Sequence, residues 1–154
     1  MKAKVITRGA MITGIYIVIT YLLAPVSFGP LQFRLAEALT VLPILYPEAV
    51  PALFLAVMLS NIIGGLGLVD IIGGSLVTLL AAAVTYKFRH SIIAYLSPII
   101  FNGLLVSLYL ALLFELPYWL TAVQITISQA VVILLFGYPL IRFLRSRQEN
   151  SRYL

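Results

Sequence analysis

The sequence has no cysteine and a single histidine. Without cysteine there is no disulfide, no thiolate metal site and no cysteine nucleophile. His90 sits in a short basic cluster with Lys87 and Arg89, which leaves neither a histidine metal set nor a Ser-His pair. No ATP-binding motif is present either. NIIGGLGLVDIIGG, residues 61 to 74, is rich in glycine but lacks the flanking strand and the lysine of a phosphate-binding loop. These absences predict a protein that is not an enzyme and that carries no resident metal or cofactor.

Charge is also scarce. Only 10% of the 154 residues are charged, five acidic against ten Lys and Arg, while 62% are hydrophobic. With a mean hydropathy of +1.11, the chain has more apolar surface than a soluble domain of this size can bury. An integral membrane protein follows. The basic start and apolar run at the N-terminus lack a small-residue cleavage site and are read as a retained first helix.

The pI of about 9.7 raises the question of nucleic acid, but the placement of the charges answers it. Lys2, Lys4 and Arg8 precede the first apolar run, Lys87 and Arg89 separate two later ones, and Arg142, Arg145, Arg147 and Arg152 close the chain. Only Arg34 lies elsewhere. The pattern is that of topogenic charges under the positive-inside rule, so the expected environment is the lipid bilayer of the cell membrane, with no nucleic-acid partner.

Three segments, at about residues 9 to 24, 91 to 113 and 118 to 141, are read as long enough to cross the hydrocarbon unaided, at about 1.5 Å per residue against about 30 Å, and a fourth, at about 70 to 86, ends at the basic cluster of Lys87 and Arg89. If all three basic clusters are cytoplasmic, residues 35 to 64 contribute zero or two crossings. Proline at 43, 47 and 51 favours a break within YPEAVP, and hence two short helices suited to a protein-lined interior. The predicted fold is all-α: six transmembrane helices, both termini cytoplasmic, in one domain over residues 1 to 154.

That topology gathers Arg34, Glu37, Asn61, Asp70, Glu115, Tyr118 and Trp119 in the outer half. Ionisable groups in the bilayer cost about 2.5–3.5 kcal/mol each even on insertion scales, so they face protein or a wet cavity. An outward-opening polar cavity is predicted. Arg34 and Glu37 stand three apart, Asp70, Gly74 and Thr78 share a helical face, Tyr95, Asn102 and Tyr109 recur at seven, and Thr121, Gln124 and Ser128 form a stripe. Asn102, Gln124 and Gln129 both donate and accept, which suits a planar heterocycle, with Trp119, Tyr118 or Phe33 to stack on it. Structural readings stand beside these: an Arg34–Glu37 ion pair, Trp119 as an interfacial aromatic, Asn102 and Gln124 as links between helices, and Glu48 as a helix-start carboxylate.

The run from Ala24 to Arg89, with FGPLQFRLAEALT and PEAVP as its specific parts, resembles the queuosine-precursor transporter family. These are substrate-binding S-components of energy-coupling factor (ECF) transporters. The similarity continues through FNGLLVSLYL and ELPYWLTAVQITISQ and covers most of the chain. The resemblance implies a six-helix S-component with an outward-facing site and a lid in the first outer loop. Its partners would be an EcfT-like coupling protein and two EcfA-like ATPases. A small-xxx-small pair on the first helix would meet the coupling protein, here Ala10 and Gly14. The implied substrate is a 7-deazaguanine: the nitrile or aminomethyl precursor, or queuine.

For such a guanine-like edge, a carboxylate accepts from adjacent ring N–H and NH2 groups while Arg, Asn or Gln donates to the carbonyl. Glu37 is the first candidate carboxylate and Asp70 the second. Arg34 and Asn102 are the candidate donors, then Asn61 and Gln124, with Trp119 or Phe33 as the stacking surface. Two competing classes remain: a self-sufficient proton-coupled transporter or channel using Glu37 or Asp70, and an assembly protein without a solute.

Overall fold

The structure, a computed structural model, describes residues 2–27 and 33–150. The expected turn at Gly29-Pro30 lies outside the described residues. Within them the chain is helical without a strand. The helices are α1 Lys2–Leu22, α2 Ala24–Ser27, α3 Leu35–Ile44, α4 Ala49–Ile63, α5 Asp70–Lys87, α6 Ile93–Phe114 and α7 Tyr118–Asn150.

Six helices are expected from the sequence and seven are present among the described residues. The extra one is the single turn α2. Pro25 has no N–H to offer the Tyr21 carbonyl, so α1 stops at Leu22 and helix resumes beyond Leu23. Four helices, α1, α5, α6 and α7, are long and apolar enough to cross a membrane, and α3 and α4 are shorter apolar helices. Large side chains such as Leu22, Leu68, Leu112 and Leu135 point outward, giving an apolar exterior that water does not tolerate over such an area. The chain is therefore a multi-pass membrane protein.

The break inside the expected short hairpin falls at residues 45–48, with Pro51 admitted into the first turn of α4, where its missing N–H is no loss. Helix α3 is wound as a 3-10 helix through all ten of its residues, although such runs are usually three or four residues long. At about 2.0 Å per residue it extends about 20 Å, against about 15 Å as an α-helix. Every residue from Ala36 to Ile44 is buried, and α3 packs against α1, α4, α5, α6 and α7. It is the central rod of the bundle. A helix wholly enclosed by protein need not match the bilayer thickness, which explains how so short an element is accommodated.

The core around it combines Ile12 and Tyr16 of α1, Val41 and Leu42 of α3, Leu53 and Val57 of α4, and Ile133 and Ile141 of α7. Close approach to α3 is possible because α7 presents Gly137: a Cβ there would meet Val41 Cγ2 at 3.2 Å and the Ala38 carbonyl at 3.3 Å. At one end of the bundle, Arg8 pairs with Glu48 at 2.5 Å and lies over the Tyr46 ring, while Gln148 Nε2 donates to the Tyr46 hydroxyl at 2.9 Å. The basic beginning of α1, the 45–48 turn and the end of α7 are thereby joined. Glu48, expected as a helix-start carboxylate, stands at the N-cap position of α4, makes no side-chain cap there and is the partner of Arg8.

Candidate functional site

A 3-10 helix has three residues per turn, so side chains three apart eclipse. This aligns Arg34 and Glu37, and both line a cavity at the upper end of α3. Glu37 is 3% exposed and both its oxygens are engaged. The Tyr16 hydroxyl donates to Oε1 at 2.5 Å, and Asn102 Nδ2 donates to Oε2 at 3.2 Å. The carboxylate is thus held from opposite sides by α1 and α6. Burial of such a group is tolerable only with donors of this kind in place.

Arg34 extends the network the other way. Its Nη1 donates to Asn61 Oδ1 at 3.2 Å and its Nε to the Ser27 carbonyl at 3.4 Å. Asn61 Nδ2 in turn donates to the Asp70 carbonyl at 2.8 Å, and the Tyr109 hydroxyl donates to Asp70 Oδ1 at 3.1 Å. Six helices, α1 to α6, thereby contribute to the polar groups around this end of α3.

The cavity is bounded by Arg34, Glu37, Asn102, Tyr109, Gln129 and Thr78, with Gly74, Val57, Val106 and Ile125 as its apolar walls. It encloses about 20 Å³ accessible to the centre of a water-sized sphere. That space suits a water molecule, not a bicyclic base. A larger solute requires the lining side chains to part.

Local irregularity concentrates here. Helices α5, α6 and α7 each contain one π-helical turn, at Asp70–Gly74, Asn102–Val106 and Ile133–Gly137. The first two carry Asp70, Gly74, Asn102 and Val106. A π turn inserts one residue into the helical register and is often found at functional sites. In α6 the turn also brings Gly103 against Thr126 of α7, so closely that a Cβ on Gly103 would overlap the threonine hydroxyl.

The structure brings Arg34, Glu37 and Asn102 to the cavity wall and puts Asn61 and Asp70 immediately behind it, through Arg34 and Tyr109. Gln124, Phe33 and Trp119 are not at this cavity. Gln124 is exposed and lies with Phe33 along a separate apolar groove that also includes Ile127 and Val131. Trp119 is 74% exposed, edge-on to Tyr118 at the start of α7. The inward face of α7 is instead Thr121, Ala122, Ile125, Gln129 and Val132. Stepping three residues from Thr121 leads to Gln124 and stepping four leads to Ile125 and then Gln129. Both steps are helical, so spacing alone does not separate two neighbouring faces.

Gln129, the third of the amides that the sequence offers, lies outside the Thr121, Gln124 and Ser128 stripe. It is 6% exposed, lines the cavity, and its Oε1 has no hydrogen-bond partner among the described residues. A buried amide oxygen without a partner costs of order 1–3 kcal/mol, and this one belongs to a side chain that lines a cavity with room for a water molecule.

On α1, Ala10 and Gly14 face outward, and a Cβ added at Gly14 would meet nothing within 4 Å. With Val5, Ile6 and Thr13 they border an apolar groove of about 580 Å³, closed on the other side by Pro51, Ala52 and Leu55 of α4.

A family model described as QueT transporter matches residues 6–146, nearly the whole chain. Comparison with curated proteins and with solved structures gave no match.

Proposed function

Because the chain belongs to the QueT transporter family, and so is a membrane transporter protein, we propose that it is the substrate-binding S-component of an ATP-driven ECF transporter. Its substrate class is the 7-deazaguanine precursors of queuosine. The observation that carries this reading is the juxtaposition, at one buried cavity, of the Glu37 carboxylate, the Asn102 amide and the unpaired Gln129 Oε1.

A guanine-type edge offers a ring N–H and an exocyclic NH2 side by side, which a carboxylate accepts as a pair. Glu37 takes that role, exchanging its bonds to Tyr16 and Asn102 for bonds to the base. Asn102 Nδ2 and Arg34 are then placed to donate to the ring carbonyl, and Gln129 Oε1 accepts from the pyrrole N–H. Asn61, Asp70 and Tyr109 hold Arg34 and the far wall in position. Val57, Val106 and Ile125 supply apolar faces in place of the aromatic stacking expected from Trp119 or Phe33.

In this reading the basic clusters, and both termini, are cytoplasmic, and the cavity opens toward the outer side of the cell membrane. The groove beside Ala10 and Gly14 receives the EcfT-like coupling protein, since small residues let helices approach closely. Two EcfA-like ATPases supply the energy.

Calorimetric titration of the purified protein with 7-deazaguanines, guanine, hypoxanthine and unrelated vitamins tests the substrate class. Saturable binding of the 7-deazaguanines, weakened for hypoxanthine, which lacks the NH2, is expected. Tight binding of an unrelated vitamin, or none of any base, overturns it. Uptake into liposomes by the protein alone, driven by a proton gradient, would favour a self-sufficient transporter instead.

A further inference from the structure

About two turns along α6 and α7 from the Glu37 cavity, the two helices border a second pocket, of about 330 Å³. Tyr95 comes from α6; Tyr138, Arg142, Arg145 and Ser146 come from α7. Tyr95 and Tyr138 pack ring against ring, 5.7 Å between centroids. Two guanidiniums, two phenols and a serine hydroxyl thus converge on one space, far more donor capacity than acceptor.

Two features distinguish this cluster from ordinary topogenic charge. Arg142 and Arg145 stand three apart on one face of α7, where like charges repel. Among the described residues neither guanidinium has a hydrogen-bond or ion-pair partner. The one carboxylate of the lining, Glu149, lies near the end of α7 and is in ion-pair contact with neither. The pocket is also held in shape, because Gln148 ties this end of α7 to Tyr46 and Ile141 is buried in the core.

Its depth indicates what it receives. The apolar run of α7 ends at Ile141, so Arg142 is the first charge at the edge of the hydrocarbon. Within two turns toward the membrane interior, Leu134 and Leu135 of α7 are exposed, as are Leu96 and Ile100 of α6. An apolar surface therefore leads up to a donor-rich pocket at headgroup level. Arginine forks match phosphate oxygens, and basic pockets between transmembrane helices suit anionic headgroups.

We propose that this pocket binds the phosphate of an anionic phospholipid, whose acyl chains lie along the exposed leucines of α6 and α7. The site is independent of the substrate reading above.

The test uses the full chain in neutral detergent, with thermal unfolding followed during titration with phosphatidylglycerol, phosphatidylcholine or inorganic phosphate. Phosphatidylglycerol is expected to stabilise the protein saturably, and neither of the others at equal concentration. In R142Q/R145Q the half-maximal phosphatidylglycerol concentration should rise about tenfold or more. R89Q/R147Q, which removes two charges outside the pocket, should behave as wild type. Native mass spectra should show one retained phosphatidylglycerol on wild type and loss of that adduct in R142Q/R145Q, a readout that does not depend on the variant's melting temperature. Equal stabilisation by phosphatidylcholine overturns the headgroup specificity, equal stabilisation by phosphate overturns the lipid, and equal weakening in R89Q/R147Q reduces the effect to diffuse charge.

Discussion

The Tyr16 hydroxyl donates to Glu37 Oε1 at 2.5 Å, joining side chains 21 positions apart in sequence. Tyr16 is fully buried and stands two residues beyond Gly14, whose side of α1 is open. One helix thus carries a bond to the cavity on one face and a small-residue surface on another. A ligand that takes over Glu37 changes what α1 is bonded to.

Tyr16→Phe should lower stability by about 1–3 kcal/mol, because it leaves a buried carboxylate oxygen without its donor. Thermal unfolding in detergent measures this. Glu37→Gln should weaken binding of a 7-deazaguanine by about 10- to 100-fold, the range of a lost charge-assisted bond. Undiminished affinity by calorimetry would remove Glu37 from recognition.

Gln129→Leu separates a binding role from a structural one. Since Oε1 is unpaired among the described residues, replacing the amide with a similar-sized apolar group should leave the free protein at least as stable. Affinity for the base should nonetheless fall by about tenfold, the worth of one buried hydrogen bond. Gln124→Leu, on an exposed face, should change neither quantity, and a loss of affinity there with none at Gln129 would reverse the assignment.

Gly103→Ala forces a methyl group into Thr126 and should cost about 1–3 kcal/mol of stability by overpacking. Thr126→Ala removes the obstructing hydroxyl and should restore part of that loss in the double variant. Two costs that simply add would show that α6 and α7 do not meet there as described.

Gly14→Leu tests the outer face of α1. Open space around its Cβ position predicts normal folding and normal ligand affinity. If the groove receives the proposed EcfT-like protein, co-purification with it and ATP-driven uptake should be lost. Retained assembly would move the docking surface away from this groove.

Much of the architecture was readable from composition and proline placement. The four long spans, the break between α3 and α4, and the enclosed polar residues Glu37, Asn61, Asp70 and Asn102 all follow from apolar run lengths and from the cost of burying charge. The α2 turn was not, because a proline near a helix end permits either termination or re-initiation. Nor was the 3-10 winding of α3, which local propensity does not favour over ten residues and which its enclosure by five other helices supports.

The site divides along the same line. Arg34 and Glu37 stand out as charges in an apolar chain, and their spacing of three suits a shared face in either helix type. Gln124 and Gln129 are both candidate amides by their chemistry, but they stand about 140° apart around the helix, and spacing does not say which of them turns inward. Trp119 and Phe33 are candidates by their chemistry, which says what a side chain can do and not which way it points.

By itself the sequence determined that this chain lives in a membrane, how its apolar runs divide into helices, and which polar groups must be sheltered, because each of these follows from transfer free energies summed along the chain. The tertiary structure decided which face of each helix turns inward, that Tyr16 and Asn102 grip Glu37, and that Gln129 rather than Gln124 reaches the cavity. Those outcomes depend on contacts between residues far apart in sequence, on the register shift of each π turn, and on glycines whose missing side chains let particular helices meet.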